Sequence, residues 1–132
     1  MTRLLLDTHI WAWSILEPER LSRRVVAELA DPSNELWLSP ISVWELLTLC
    51  RKKRLSLMPD ANTWIAEHLA SAPLKAAPVT LEVARELGRF QLPHRDPADQ
   101  FLVATAKVFE LTLVTADQRL LRLREIPVLS NR

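Results

Sequence analysis

Residues 3–13, RLLLDTHIWAW, pass from a short apolar segment through one aspartate into a second, longer apolar segment that reaches residue 16. Leu4-Leu5-Leu6 has the length of a buried strand, and the segment after Asp7 is long enough for a helix that Pro18 ends. The chain is therefore expected to turn from strand to helix at Asp7. The same alternation recurs downstream, which is the pattern of β-α-β units and a parallel sheet. A second helix is expected over 19–30, with Leu21, Val25, Ala27 and Leu29 on its apolar stripe, and Asp31-Pro32-Ser33-Asn34 reads as a loop. Glu35 to Leu38 (ELWL) is a second strand. Ser39-Pro40 supplies an N-cap and a first-turn proline for a helix to about Lys53. Further helices are expected over 61–71 and 81–88, the latter closed by Gly88 as C-cap, with a weak strand at 75–78 between them. A helix from Asp96-Pro97 to about Phe109 leads into a clear strand, LTLVT (111–115). A short helix over 117–123 and a strand over 126–129 complete a single α/β domain of 132 residues.

Composition removes several functions. Hydrophobic residues make up 48% and charged residues 25%, as in ordinary globular chains. No apolar run reaches the roughly 18 residues a membrane span requires. Asp7 and His9 interrupt the N-terminal apolar stretch and no small-residue cleavage site follows, so a cytoplasmic location is expected. Gly88 is the one glycine, whereas Walker loops and dinucleotide fingerprints need several to close backbone N–H groups on phosphates. Cys50 is alone, which leaves neither a disulfide nor a cysteine zinc site and favours a buried thiol. The net charge is +1, yet basic residues cluster at Arg51-Lys52-Lys53-Arg54, at Arg20, Arg23 and Arg24, and at Arg119, Arg122 and Arg124. Such clusters either meet phosphates or simply favour helix C-termini and solvent.

The acids carry the chemistry. Asp7 and Asp117 lie just beyond the carboxyl ends of two strands that read as central, the edge where open α/β sheets bind ligands. Glu45 stands in ISVWELLTLC, a helix apolar on nearly every face, where an uncompensated carboxylate would cost several kcal/mol. Asp99, in the first turn of the helix that feeds LTLVT, is expected on the opposite side of the sheet unless residues 79–95 return the chain; the pattern leaves this open. Two carboxylates about 4 Å apart repel by roughly 4 kcal/mol at an effective dielectric near 20. Four that converge need a cation, and all-oxygen ligands select a hard one such as Mg²⁺. Phosphodiester cleavage by metal-activated water follows, with one ion or with two roughly 3.5–4 Å apart. His9, His68 and His94 show no metal-ligand spacing, although His9 and His94 are placed near the cleft.

LLLDTHIWAW, SPISVWELLTL, HRDPADQFLVATA and LVTADQRL stand in the order and spacing of the PIN-domain family, and the chain most resembles the VapC toxin subunits of VapBC-type toxin–antitoxin pairs. The resemblance spans essentially the whole chain. It implies a three-layer fold with a parallel sheet of order 3-2-1-4-5, helices on both faces, and an acidic pocket that binds Mg²⁺ or Mn²⁺ and cleaves RNA. Asp7, Glu45, Asp99 and Asp117 match the four acids. Asp7, Asp99 and Asp117 are the implied metal ligands, with Glu45 bound directly or through water, and Thr115 matches a supporting hydroxyl. The resemblance also implies a homodimer, a VapB-like antitoxin whose C-terminal segment crosses the cleft, and a larger assembly on operator DNA. Gln100 stands where many relatives carry arginine, and Ala98 where a bulkier residue is common. Arg51, Lys52, Lys53, Arg54, Arg95 and Arg119 are candidates for contacting RNA. Among the tryptophans, Trp37 and Trp44 are expected in the core, while Trp11 and Trp13 suit either core or interface.

Two other readings compete with this one. A phosphatase of the haloacid-dehalogenase type also begins with strand and aspartate, but it needs an acid two residues on, where this chain has His9. A binding module that acts only through antitoxin and operator DNA has no use for four intact acids. Asp96-Pro97 has the form of an N-cap with proline at the first helical position, and Asp99 falls where a capping box also places an acid. The expectation is that Asp96 caps, with a supporting role at the site, while Asp99 binds metal.

Overall fold

The computed structural model describes residues 1–93 and 96–132. Five parallel strands, β1 (Arg3–Leu6), β2 (Glu35–Leu38), β3 (Leu74–Ala76), β4 (Thr112–Thr115) and β5 (Val128–Ser130), form one sheet in the order β3-β2-β1-β4-β5. Side chains alternate across a strand, so Leu4 and Leu6 enter one apolar cluster and Leu5 enters the other. The first cluster is covered by α1 (Thr8–Leu16), α2 (Arg23–Ala30), α3 (Pro40–Arg51) and α4 (Ala61–Ser71), which contribute Ile10, Trp11, Val25, Leu46, Trp64 and Ile65. The second is covered by α6 (Pro97–Phe109), through Leu102, Val103 and Ala106, with α5 (Leu81–Glu86) packed against α6.

The handedness of parallel crossovers explains this division. The chain steps from β1 to β2 to β3 in one direction and then back over them to β4, and right-handed connections place helices on opposite faces when the direction reverses. The reversal falls between β1 and β4, which opens a crevice at their carboxyl ends.

The open question about Asp99 is resolved here. A helix that delivers the chain to the start of a parallel strand must itself begin at the sheet's carboxyl edge, so the first turn of α6 belongs on the same side as Asp7. α6 begins at that edge, and Asp99 in its first turn lines the same cavity as Asp7.

Several local expectations are corrected. The helix expected over 19–30 begins at Arg23, because Ser22 caps it by accepting from the Val25 N–H, while Pro18–Arg20 form a separate 3-10 turn. Gly88 is not a left-handed cap; it sits within a 3-10 turn, Leu87–Arg89. The left-handed cap is instead Glu110 (φ 56, ψ 53), which ends α6. The helix expected over 117–123 is a single 3-10 turn, Gln118–Leu120, and the last strand, expected over 126–129, starts at Val128 and ends at Ser130. Trp44 is 52% exposed rather than in the core, whereas Trp11 is 1% exposed. Trp37 is only partly buried, against Phe109 on the second cluster. Cys50 is partly buried against the first cluster, and burial pushes its thiol pKa up. Among the described residues, no helix is long and apolar enough to cross a membrane.

Leu5, fully buried in the central strand, is expected to cost about 2–5 kcal/mol when replaced by alanine. Trp44→Ala should stay within about 0.5 kcal/mol. Urea denaturation of both variants checks the assignment of core and surface.

Candidate functional site

Asp7 ends the central strand and opens α1. Its backbone N–H donates to the Val114 carbonyl at 3.0 Å, continuing the β1–β4 ladder one residue past the strand. Its carboxylate accepts from the Thr8 N–H at 2.7 Å and from the Thr115 hydroxyl at 2.6 Å. Thr115 also accepts from the Asp117 N–H at 3.0 Å. One hydroxyl therefore ties the acid after β1 to the acid after β4.

The other acids reach the same edge by separate routes. Ser39 caps α3 by accepting from the Ile41 N–H at 3.0 Å, and Glu45 lies about one and a half turns into that helix, half-buried. Asp96 caps α6 by accepting from the Ala98 N–H at 3.0 Å, with Pro97 in the first turn, as its sequence predicts. Asp99, in that first turn, is buried, and its carboxylate gains from the positive end of the helix. Asp7, Glu45, Asp96, Asp99 and Asp117 line one cavity of about 260 Å³, together with His9, Trp13, Ala116 and Arg119.

Arg119 is the cation of this cluster among the described residues lining the cavity. Its Nη2 lies 2.7 Å from Asp117, 3.6 Å from Asp99 and 4.0 Å from Asp96. These carboxylates raise its pKa further, the hydrogen bond to Asp117 being the largest cause. A single guanidinium against five carboxylates leaves the cavity strongly negative. Burial raises the Asp7 pKa, against the Thr115 hydrogen bond and the charge of His9, while Asp117 adds to the rise. Burial likewise raises the Glu45 pKa, with repulsion from Asp7 and Asp96 adding to it. The Thr8 hydroxyl, buried without a well-formed hydrogen bond, is close enough to Glu45 to offset part of its rise.

This donor set fits a hard divalent cation. Every carboxylate is an oxygen donor, charge is in excess, and a guanidinium already rests among three of the acids. Among the described residues no three Asp, Glu, His or Cys side chains are already gathered closely enough to hold an ion between them.

The basic candidates divide. Arg51, Lys52 and Lys53 are exposed at and beyond the end of α3, away from the cavity, while Arg54 lines a neighbouring groove. Arg95 and His94 lie outside the described residues. Arg119 is embedded in the acid cluster itself, and its place two residues after Asp117, on the turn that Asp117 caps, is the signal in the sequence for it. His9 and Trp13 also line the cavity. By its sequence Trp13 suits either core or interface, and only the packing of α1 across the carboxyl edge assigns it to the cavity wall.

A parallel sheet whose strand-end acids gather at the β1–β4 crevice defines a class, and the sequence agrees: residues 4–126 match the PIN domain, and the chain belongs to that family. Ribonuclease VapC22 of Mycobacterium tuberculosis is 33% identical to it over 126 residues, covering 91% of each chain. In fold, the chain is similar to one in VapBC2 from Rickettsia felis bound to a DNA fragment from their promoter (TM-score 0.74, 17% identity, 98% of each chain). It is also similar to one in DNA-bound VapBC from Salmonella typhimurium (TM-score 0.72, 22% identity, 98% of each chain).

The raised pKa values of Asp7 and Glu45 mean that the folded state holds their protons more tightly than the unfolded chain. Stability from this source is fully present below the ordinary carboxylate range and is lost as pH rises through the raised values. Asp7→Asn cannot ionise and remains a good N-cap. In chelator at pH 7 it should melt higher than the parent, by roughly 3–6 °C for each kcal/mol of burial cost removed. That advantage should shrink as pH falls through the raised pKa of Asp7, and melting curves at several pH values read it.

Proposed function

We propose that the protein is a Mg²⁺- or Mn²⁺-dependent endoribonuclease, the toxin of a type II toxin–antitoxin pair. The observation that carries this reading is the convergence of Asp7, Glu45, Asp99 and Asp117, from four separate elements, on one cavity. The 33% identity to a protein named as a ribonuclease supports the RNA substrate. A divalent cation held by Asp7, Asp99 and Asp117, with Glu45 direct or through water, would supply a water of lowered pKa and neutralise charge on the phosphate.

The chain's own groups do the rest. Thr115 fixes the Asp7 carboxylate by its 2.6 Å hydrogen bond, so that ligand is oriented before anything binds. Asp96 caps α6 and thereby fixes the helix turn that carries Asp99. Glu45, whose pKa is raised by burial and by repulsion from Asp7 and Asp96, is placed to take or give a proton at the cavity. Arg119, whose side chain is 54% exposed, can turn from the carboxylates to a phosphate oxygen, for which its planar fork is suited.

The partner is proposed to be a VapB-like antitoxin that places a basic side chain among the acids. The seat Arg119 already takes beside Asp117, Asp99 and Asp96 supports this, since a guanidinium fits there. A homodimer, assembly with the antitoxin on operator DNA and a cytoplasmic setting belong to the same proposal.

Purified protein with Mg²⁺ or Mn²⁺ and total cellular RNA provides the test. Asp7→Asn and Asp99→Asn should each lose more than about 100-fold in cleavage rate, and Asp96→Asn, still a cap, about 10-fold or less. Cleavage by Asp7→Asn at the parent's rate overturns the metal assignment. Equal losses for folded Asp96→Asn and Asp99→Asn overturn the division between cap and ligand.

A further inference from the structure

The acid cavity adjoins a second groove, and the two share His9 and Trp13. Leu16, Leu49 and Leu55 line that groove together with Arg20 and Arg54, so it reverses the charge of its neighbour. Three flat groups stand in succession from the shared wall into the groove. The His9 and Trp13 rings are 5.6 Å apart, tilted at 53°, and the Arg20 guanidinium carbon lies 4.2 Å from the Trp13 ring centroid. Glu17 holds Arg20 from the side at 3.1 Å, and the Arg20 side chain remains 54% exposed. Core packing accounts for the inner side of Trp13, which rests on the first apolar cluster. It does not account for a half-exposed guanidinium laid on the indole beside the candidate active site.

We propose that Arg20, backed by Trp13, is a stacking platform for an unpaired base of the RNA strand, next to the phosphate that is cut at the acid cavity. This rests on the ribonuclease reading and narrows its substrate to RNA with an unstacked base beside the cut. Single-stranded RNA is recognised by stacking on aromatic rings and on guanidinium planes, and a phosphate beyond that base would meet Arg54. A peptide in the same groove would be drawn by the leucines; the flat, outward-facing cation on an indole favours a base.

The test uses fluorescein-labelled single-stranded RNA nonamers of mixed sequence, measured by anisotropy in Mg²⁺ with Asp99→Asn protein so that bound RNA stays intact. Added to that background, Arg20→Ala and Trp13→Ala should each weaken binding about 5- to 150-fold, the range covered by one lost base stack. Arg20→Lys should lose nearly as much as Arg20→Ala, because lysine keeps the charge and not the plane, while Trp13→Phe should retain most of the affinity. A set of nonamers with one abasic site at each position in turn should contain a position at which the Arg20 and Trp13 variants bind no worse than their background. Parent-like binding by Arg20→Lys reduces the contact to charge and overturns the proposal. Unchanged binding by Arg20→Ala and Trp13→Ala also overturns it and leaves the groove to a protein segment. A scan in which no base matters overturns it as well. Failure of the parent to cleave RNA while stacking persists removes the nuclease reading alone; cleavage with no dependence on Arg20 or Trp13 removes the platform alone.

Discussion

A carboxylate buried at the end of the central strand is costly, and the architecture of the carboxyl edge turns on how Asp7 is held there. The Thr115 hydroxyl, across the β1–β4 ladder, donates to it at 2.6 Å, the Thr8 N–H donates at 2.7 Å, and its own N–H continues the ladder to Val114. These bonds fix its position but do not cancel the burial cost, since its pKa remains raised. Glu45 is in the same condition on α3, and Asp7 is one of the charges that put it there. The cluster of carboxylates is thus electrostatically unfavourable by construction, a common cost of placing function on a fold.

Arg119 is the internal response to that cost. Its place among Asp117, Asp99 and Asp96 satisfies part of the excess charge with a flexible, half-exposed side chain that can leave again. A buried, rigid cation would stabilise the chain more and would obstruct whatever must bind. The groove beside the cavity has the opposite character, apolar and basic, with His9 and Trp13 on the boundary between the two.

The sequence was most informative where a residue's chemistry and its local spacing agreed. Short apolar runs with an aspartate one or two residues beyond them marked β1 and β4, and Ser39-Pro40 and Asp96-Pro97 marked the starts of α3 and α6, because a cap and a first-turn proline act within one turn of chain. It was least informative where the terminating interaction is not encoded by a favoured residue. Glu110 takes a left-handed backbone to end α6, although Gly88 is the residue suited to one, and α2 starts at Arg23 because Ser22, not Pro18, supplies the cap. Trp44 was misplaced because an apolar run on α3 says nothing about which side the sheet covers.

Alternating strand and helix patterns, the scarcity of glycine and the residue types of the acids determined the α/β class and pointed to metal-assisted phosphate chemistry, since these depend on local conformation and on functional groups alone. The motif order carried the family. Only the tertiary structure decided that Asp99 shares an edge with Asp7, that Arg119 sits within the acids rather than beside them, and that Arg20 covers Trp13 at the cavity's rim. Those relations join residues far apart in the chain or on different elements. They are set by the direction in which a crossover helix runs and by which face of the sheet its handedness allows it to cover.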